Sequence, residues 1–133
     1  MAKHSWIVAV PLAVGGALVV APAAWANTNF NGACQTKEFC GYKEWNWQAS
    51  QGIYDYEGRD NYFTDNHFKP SSVGGVVDKA ISSGKNLGTS CAARLHFGQN
   101  GSGGIIATFQ PNGDYWNITG SWNNAARSLT WAC

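Results

Sequence analysis

The sequence predicts an all-β domain in which two Greek-key motifs pack as a sandwich stapled by disulfides. Short aromatic and β-branched runs alternate with turns rich in Gly, Pro, Asn and Asp, a pattern typical of strands in such a fold. One pattern also occurs twice, since Val77–Ser83 aligns with Trp122–Ser128. Each copy ends one half of the chain, and two similar four-strand units favour two Greek keys.

The first 26 residues are expected to be a secretory signal peptide. A basic start precedes the apolar run 6–20, and Ala24 and Ala26 are the small residues expected before a cleavage point. An uncleaved membrane anchor is the alternative, although the run is shorter than the ~20 apolar residues that a span requires. Residues 27–133 are then expected to form one domain, secreted, extracellular and monomeric.

The strands can be placed in order along this domain. Runs that predict strands or their approaches are 39–47, 52–58, 71–77, 91–98, 103–109 and 127–133. The segment PNGD at 111–114 is a turn signal. Ser and Gly in residues 82–91 predict a connector, which gives a first key of about 34–84 and a second of about 91–133.

Four cysteines in a small exported chain predict two disulfides. Three pairings are possible, and we favour the one that keeps each bond within one half of the chain. The predicted bonds are Cys34–Cys40 and Cys91–Cys133. A cysteine metal site is disfavoured because the chain contains no Cys-x-x-Cys.

The charge of the chain disfavours two classes of partner. Nine basic and eight acidic residues give a net charge of +1, which falls to zero without Lys3 of the leader. Nucleic acids and anionic membranes both require a basic patch, so neither is an expected partner.

The repeated pattern resembles the Asn/Asp-Asn/Asp-x-x-Ser/Thr-Ser motif of the βγ-crystallin superfamily. Residues 78–83 and 123–128 each match it with one departure. The aromatic corner that opens each key of that family is similar to Tyr42–Trp47, with Ala49 where glycine is usual. The resemblance implies a βγ-crystallin-like sandwich.

Within that superfamily the chain looks like small secreted actinobacterial proteins grouped with the Streptomyces metalloproteinase inhibitor. The likeness rests on a Cys-x(n)-Cys-x-Tyr opening, on AISSG-x-N at 80–86 and on SL-x-W-x-C at 128–133. It implies a secreted peptidase inhibitor of the metalloproteinase type, with an extracellular peptidase as its partner.

The superfamily resemblance also implies calcium, held by the hydroxyl at the fifth motif position and by backbone carbonyls. The candidate residues are Asp78, Ser82, Asn123 and Asn124. Arg127 replaces one of the two hydroxyls by a cation, so we expect at most one weak site and otherwise no cofactor. The alternative is that these side chains only fix a turn.

An inhibitor needs a rigid exposed loop, because rigidity lowers the ordering cost of binding. The Gly-rich segment 84–93 is anchored by Cys91 and could present Leu87 or the Cys91–Ala92 junction. A second candidate is the segment 98–104, and the alternative for both is an ordinary connector.

The sequence argues against an enzyme. His67 and His96 lie in neither an HExxH motif nor a Gly-x-Ser-x-Gly elbow. The pairs Asp55/Glu57 and Asp60/Asp65 could serve as glycosidase carboxylates, but solvated side chains are the simpler interpretation.

A second hypothesis is a carbohydrate- or cell-wall-binding module. The chain has seven Trp, five Tyr and six Phe, and exposed aromatic rings stack on sugars. The stretches 61–68 and 113–117 are its candidates. Core positions are expected for Trp47, Tyr54, Phe97, Phe109 and Trp131, but not for all of Trp45, Tyr62, Phe63 and Trp116.

Overall fold

A computed structural model describes residues 29–133, so the expected signal peptide lies outside the described residues. The strands are β1 Phe39–Tyr42, β2 Ile53–Tyr56, β3 Ser83–Asn86, β4 Ala92–His96, β5 Ile105–Phe109, β6 Asp114–Asn117 and β7 Ser128–Ala132. Short 3-10 turns connect several of them. No helix within residues 29–133 has the length and apolar character needed to cross a membrane.

The strands form two antiparallel sheets, in the orders β2-β1-β3-β6 and β5-β4-β7. Strand β6 belongs to the second half of the chain but pairs with β3 of the first, with Lys85 opposite Tyr115. In return, Asp60 of the first half forms a bridge to Leu129 at the edge of the second sheet. The all-β fold of two packed sheets is confirmed, and each half contributes a segment to the other's sheet.

Aromatic side chains fill the space between the sheets. Phe39 and Phe109 have ring centroids 5.2 Å apart, and Trp116 stacks on Phe109 at 4.8 Å. Tyr54 and Phe63 are fully buried and 5.1 Å apart. Of the four aromatic residues not all expected in the core, Phe63 and Trp116 join it. The other two, Trp45 and Tyr62, are both 47% exposed.

Both predicted disulfides are confirmed, Cys34–Cys40 and Cys91–Cys133. The first fastens residues 29–37 to strand β1. The second joins the residue before β4 to the chain end after β7.

The structure differs from three local predictions. Residues 83–86 lie in the predicted connector but form the central strand β3, because pairing with both β1 and β6 overrides the weak strand propensity of Ser-Gly-Lys-Asn. At Gly84 a Cβ atom would approach Phe109 and Phe39 within 3 Å, so this strand needs a glycine to admit both rings. Residues 71–77 form turns, with one isolated bridge between Val76 and His67.

The predicted strand run 39–47 is also only partly a strand, since β1 ends at Tyr42 and the aromatic corner that follows is a turn. Trp45–Trp47 is a 3-10 turn with Asn46 and Trp47 at positive φ. Gln99–Gly101 is its counterpart in the second key, and Asn100 has nearly the same backbone angles as Asn46.

Candidate functional site

The last serine of each motif copy holds the turn after the first strand of its key. Ser83 Oγ donates to the carbonyl of Glu44 at 2.7 Å and accepts from the N–H of Trp47 at 3.3 Å. Ser128 Oγ donates to the carbonyl of Gly98 at 2.7 Å and accepts from the N–H of Gly101 at 3.0 Å. The motif is therefore repeated because each key closes in the same way.

The two motif copies also contact one another. The N–H of Lys79 donates to Ala126 O at 2.8 Å, and the N–H of Asn124 donates to Ile81 O at 3.2 Å. Lys79 and Asn124 occupy the second motif position, and both have φ of 56°. The fifth position of one copy consequently faces the first two positions of the other.

The four residues expected to bind calcium lie at two different sites in the structure. Ser82, Asn123 and Asn124 line one cavity, where Ser82 Oγ donates to Asn124 Oδ1 at 2.9 Å. Asp78 lies in the other place, with its Oδ1 3.2 Å from Arg127 Nε in an ion pair. The fifth-position residue is thus a hydroxyl in the first place and a cation in the second.

The place that Asp78 occupies does not fit a calcium ion, because the Arg127 guanidinium already supplies the positive charge. The Ser82 cavity fits better, since Asn123 Oδ1 is buried without a hydrogen-bond partner in the described part of the chain, and Glu44 lies on the same wall. Lys79 lines that cavity too, and its ammonium opposes a dication. No group of three His, Cys, Asp or Glu within residues 29–133 could hold a metal ion.

The expected inhibitory residues lie where β3 passes into β4. Leu87 is half-buried, and its N–H and C=O bond the backbone of Glu38 and Lys37, both at 2.8 Å. Ala92 lies in β4, opposite Ala132. The exposed tip of this segment is Thr89–Ser90, between Gly88 and Cys91, which makes the loop shorter than the sequence suggests.

The sequence analysis included Asn86 only as the last residue of the AISSG-x-N pattern and missed its role, which is to support this loop from beneath. Its side chain is fully buried, accepts from the N–H of Gly88 at 2.7 Å and donates to the carbonyl of Cys91 at 3.0 Å. It also donates to the carbonyl of Phe109 at 2.9 Å. A single asparagine after Gly-Lys gives no sequence signal for such a role.

A small cavity of about 250 Å³ borders the same loop. Trp131 and the Cys91–Cys133 bond form part of its wall, together with Thr89 and Ser90. The indole N–H of Trp131 donates to the carbonyl of Gly58, which fixes the ring beside the loop. The second candidate loop, 98–104, is held by Gly98 N–H to Ser102 O at 2.8 Å.

Two carboxyl groups that accept hydrogen bonds from the backbone of residues 31–35 are buried. Glu38 is fully buried, with Oε2 accepting from the N–H of Gln35 at 2.7 Å. Desolvation, with smaller repulsion from Asp55 and Glu57, raises the pKa of Glu38 to about 7. Burial also raises the pKa of Asp55, against the hydrogen bonds that it accepts from the backbone of residues 30–32. Neither carboxyl group is open to a substrate.

The exposed aromatics do not form one flat platform. Tyr115 is 55% and Trp122 51% exposed. Trp47 meets Tyr115 edge-on, with centroids 4.4 Å apart and planes at 83°. Of the stretch 61–68, Phe63 and Phe68 are buried and Tyr62 is exposed.

Two solved structures resemble this architecture. One, from work on the evolution of the eye-lens βγ-crystallin domain fold, has a TM-score of 0.56 and 21% identity, covering 75% of this chain and 90% of that chain. The other, the N-terminal domain of Protein S, has a TM-score of 0.52 and 15% identity, covering 71% and 93%.

No protein-family model and no curated protein matches the sequence. The likeness to actinobacterial peptidase inhibitors therefore stays a prediction from motifs. The order of the strands, the exchanged segments and these two structures together identify the domain as one with the βγ-crystallin fold.

Proposed function

We propose that this chain is a secreted inhibitor of an extracellular peptidase, of the metalloproteinase type, which it binds through residues 87–92. The observation that carries the proposal is the support of this loop by the buried Asn86 side chain. Two further constraints act on the loop, the bond from the N–H of Asn112 to Gly88 O at 2.7 Å and the Cys91–Cys133 disulfide.

These contacts fit what inhibition demands. A segment that enters a peptidase cleft binds tightly when it loses little conformational freedom on docking. Here the backbone on both sides of Thr89–Ser90 is fixed by hydrogen bonds, while these two residues are exposed. Leu87 is tied to the neighbouring backbone, so the tip rather than Leu87 would enter the cleft first.

The test is a titration of the oxidised protein into a thermolysin-type peptidase with a peptide substrate. We expect stoichiometric inhibition, weakened at least tenfold by Ser90→Glu, which places a carboxylate at the tip. The matched control is Ser72→Glu, the same change in the exposed turn 71–73, which contributes no residue to the loop 87–92. This variant should inhibit as strongly as the unchanged protein. If neither a metallopeptidase nor a serine peptidase is inhibited at micromolar protein, the proposal is rejected.

A second candidate is carbohydrate binding, favoured by one specific observation. Trp45 is 47% exposed yet held in place by a 3.2 Å bond from its indole N–H to the carbonyl of Ile118, and it lines a cavity of about 430 Å³. A fixed, exposed ring beside a cavity suits stacking against a sugar. Retention of the chain on immobilised polysaccharides, reduced by Trp45→Ala, would support this role, and no retention on any polysaccharide would refute it.

For calcium we propose no more than one weak binding site. We propose that Ser82 Oγ, Asn123 Oδ1 and the Glu44 carboxylate would contribute oxygens to one ion. Calcium would add structural cross-linking between the two motif copies, without any chemical step.

A further inference from the structure

Two cavities flank the turn formed by residues 42–47. The cavity of about 430 Å³ on one side is lined by Lys43, Trp45 and Lys79. A second, of about 340 Å³, is lined by Tyr42, Trp47, Lys85 and Tyr115. Residues of the segment 42–47 contribute to both cavities, so the two lie next to one another along it, and we name their lysines and exposed aromatic rings together the basic–aromatic face. It is defined by Lys43, Trp45, Trp47, Lys79, Lys85 and Tyr115.

The aromatic rings of this face are held in place before any ligand arrives. The indole N–H of Trp47 donates to Gly84 O at 3.1 Å, as that of Trp45 does to Ile118 O at 3.2 Å. Between them, Asn46 and Asn117 are joined by two hydrogen bonds of 2.9 and 3.1 Å. Fixed rings lose little entropy on binding, so the face is preorganised.

Its charge differs from that of the chain as a whole. Three lysines contribute to the face, whereas Glu44 is the one acidic residue on the walls of these two cavities. The whole chain carries a net charge of only +1. Lys85 lies opposite Tyr115 in the pairing of β3 with β6, which places an ammonium beside an exposed ring. The face therefore pairs stacking surfaces with cations.

An uncompensated acceptor completes the chemistry. Asn123 lines the larger cavity, and its Oδ1 is buried without a donor among residues 29–133. A buried acceptor without a partner costs free energy, which would be recovered if the side chain turned toward the cavity and accepted a hydrogen bond from a ligand hydroxyl. Sugars supply hydroxyl donors, and their apolar faces stack on indole rings.

We propose that the basic–aromatic face binds an acidic polysaccharide, one whose sugars carry carboxylate or sulfate groups. This rests on the second proposed function, carbohydrate binding, and adds the class of sugar. Anionic groups would pair with the three ammonium groups, pyranose rings would stack on Trp45, and a hydroxyl would donate to Asn123 Oδ1. The inhibitory loop at 87–92 contributes nothing to this face.

The experiment titrates polygalacturonate into the oxidised, isotope-labelled protein and follows the indole N–H signals by NMR. We expect the signals of Trp45 and Trp47 to shift and that of Trp131 to stay, and dextran, which is neutral, to produce no shifts. Lys79→Gln and Lys85→Gln should each weaken binding at least threefold. Lys69→Gln removes the same charge elsewhere and should change it less than 1.5-fold.

Each alternative result of this experiment would reject a specific part of the proposal. Equal binding of dextran would leave carbohydrate binding standing and remove the acidic class. Equal weakening by Lys69→Gln would mean that net charge alone attracts the polymer, which rejects the face. No binding of polygalacturonate would reject the acidic-polysaccharide proposal, and retention on other immobilised polysaccharides would then decide whether carbohydrate binding stands. If calcium shifted the indole N–H signal of Trp45 and polygalacturonate did not, the larger cavity would be assigned to a cation instead of a sugar.

Discussion

The clearest quantitative prediction concerns Glu38, whose carboxyl group is fully buried beneath residues 29–37. Its pKa is about 7 in the folded chain against an ordinary value of 4.5, mainly because burial disfavours the charged form. A difference of that size corresponds to roughly 3 kcal/mol between the two protonation states. We therefore predict that Glu38→Gln changes the pH dependence of stability.

The direction follows from proton binding. Between pH 4.5 and 7 the folded chain holds a proton on Glu38 that the unfolded chain has released. The resulting stabilisation is complete below pH 4.5 and disappears as the pH rises through 7. Glutamine is neutral throughout and can still accept from the N–H of Gln35. The free energy of unfolding of the variant, minus that of the unchanged protein, should rise by roughly 3 kcal/mol between pH 4.5 and 8.

Urea unfolding followed by tryptophan fluorescence at pH 4.5, 6, 7 and 8 measures this difference. Glu44→Gln is the matched control, because it removes an exposed carboxylate that does not contribute to the pKa of Glu38, and it should leave the pH slope almost unchanged. Parallel curves for Glu38→Gln and the unchanged protein would refute the reasoning, since they would mean that Glu38 titrates normally in the fold.

Three further predictions follow from the motif and the disulfides. Ser83→Ala and Ser128→Ala should each lower the free energy of unfolding by about 1 kcal/mol, because each removes two part-buried hydrogen bonds. A large difference between the two variants in urea unfolding would contradict the idea that the two serines play equivalent roles. Replacing Cys91 and Cys133 by serine should cost about 4 kcal/mol, given the 42-residue separation, and an unchanged urea midpoint would contradict this. Millimolar calcium should raise the melting temperature of Arg127→Ser more than that of the unchanged protein, and equal shifts would mean that Arg127 does not exclude the ion.

Most of the strands could be predicted from local sequence because they lie in runs of apolar, aromatic and β-branched residues bounded by turn residues. The runs that contain β2, β4, β5 and β7 all have this character, and the four cysteines limited the disulfides to three pairings. Strand β3 could not be predicted in this way. Its residues Ser, Gly, Lys and Asn are poor strand formers, and its place depends on partners that lie far away in the sequence.

The candidate sites were predictable only in part. The motif singled out Ser82, Asn123 and Asn124, which line one cavity in the structure, but the pairing of Asp78 with Arg127 depends on the contact between the two copies. Asn86 escaped prediction because its role comes from burial and from three backbone groups that only the fold brings together. The lysines of the basic–aromatic face are likewise scattered along the chain.

Because each half of the chain contributes a segment to the sheet of the other half, the two halves depend on one another for folding. Strand β6 completes the sheet that begins with β1, and the stretch at Asp60 lies against β7. A chain cut at Thr89 would therefore yield two pieces, each missing an edge that the other carries. Neither piece would be a self-sufficient folding unit, and the two should recover the native spectrum only when mixed. The two keys would therefore depend on one another for folding, so that a destabilising change in either key would affect both sheets.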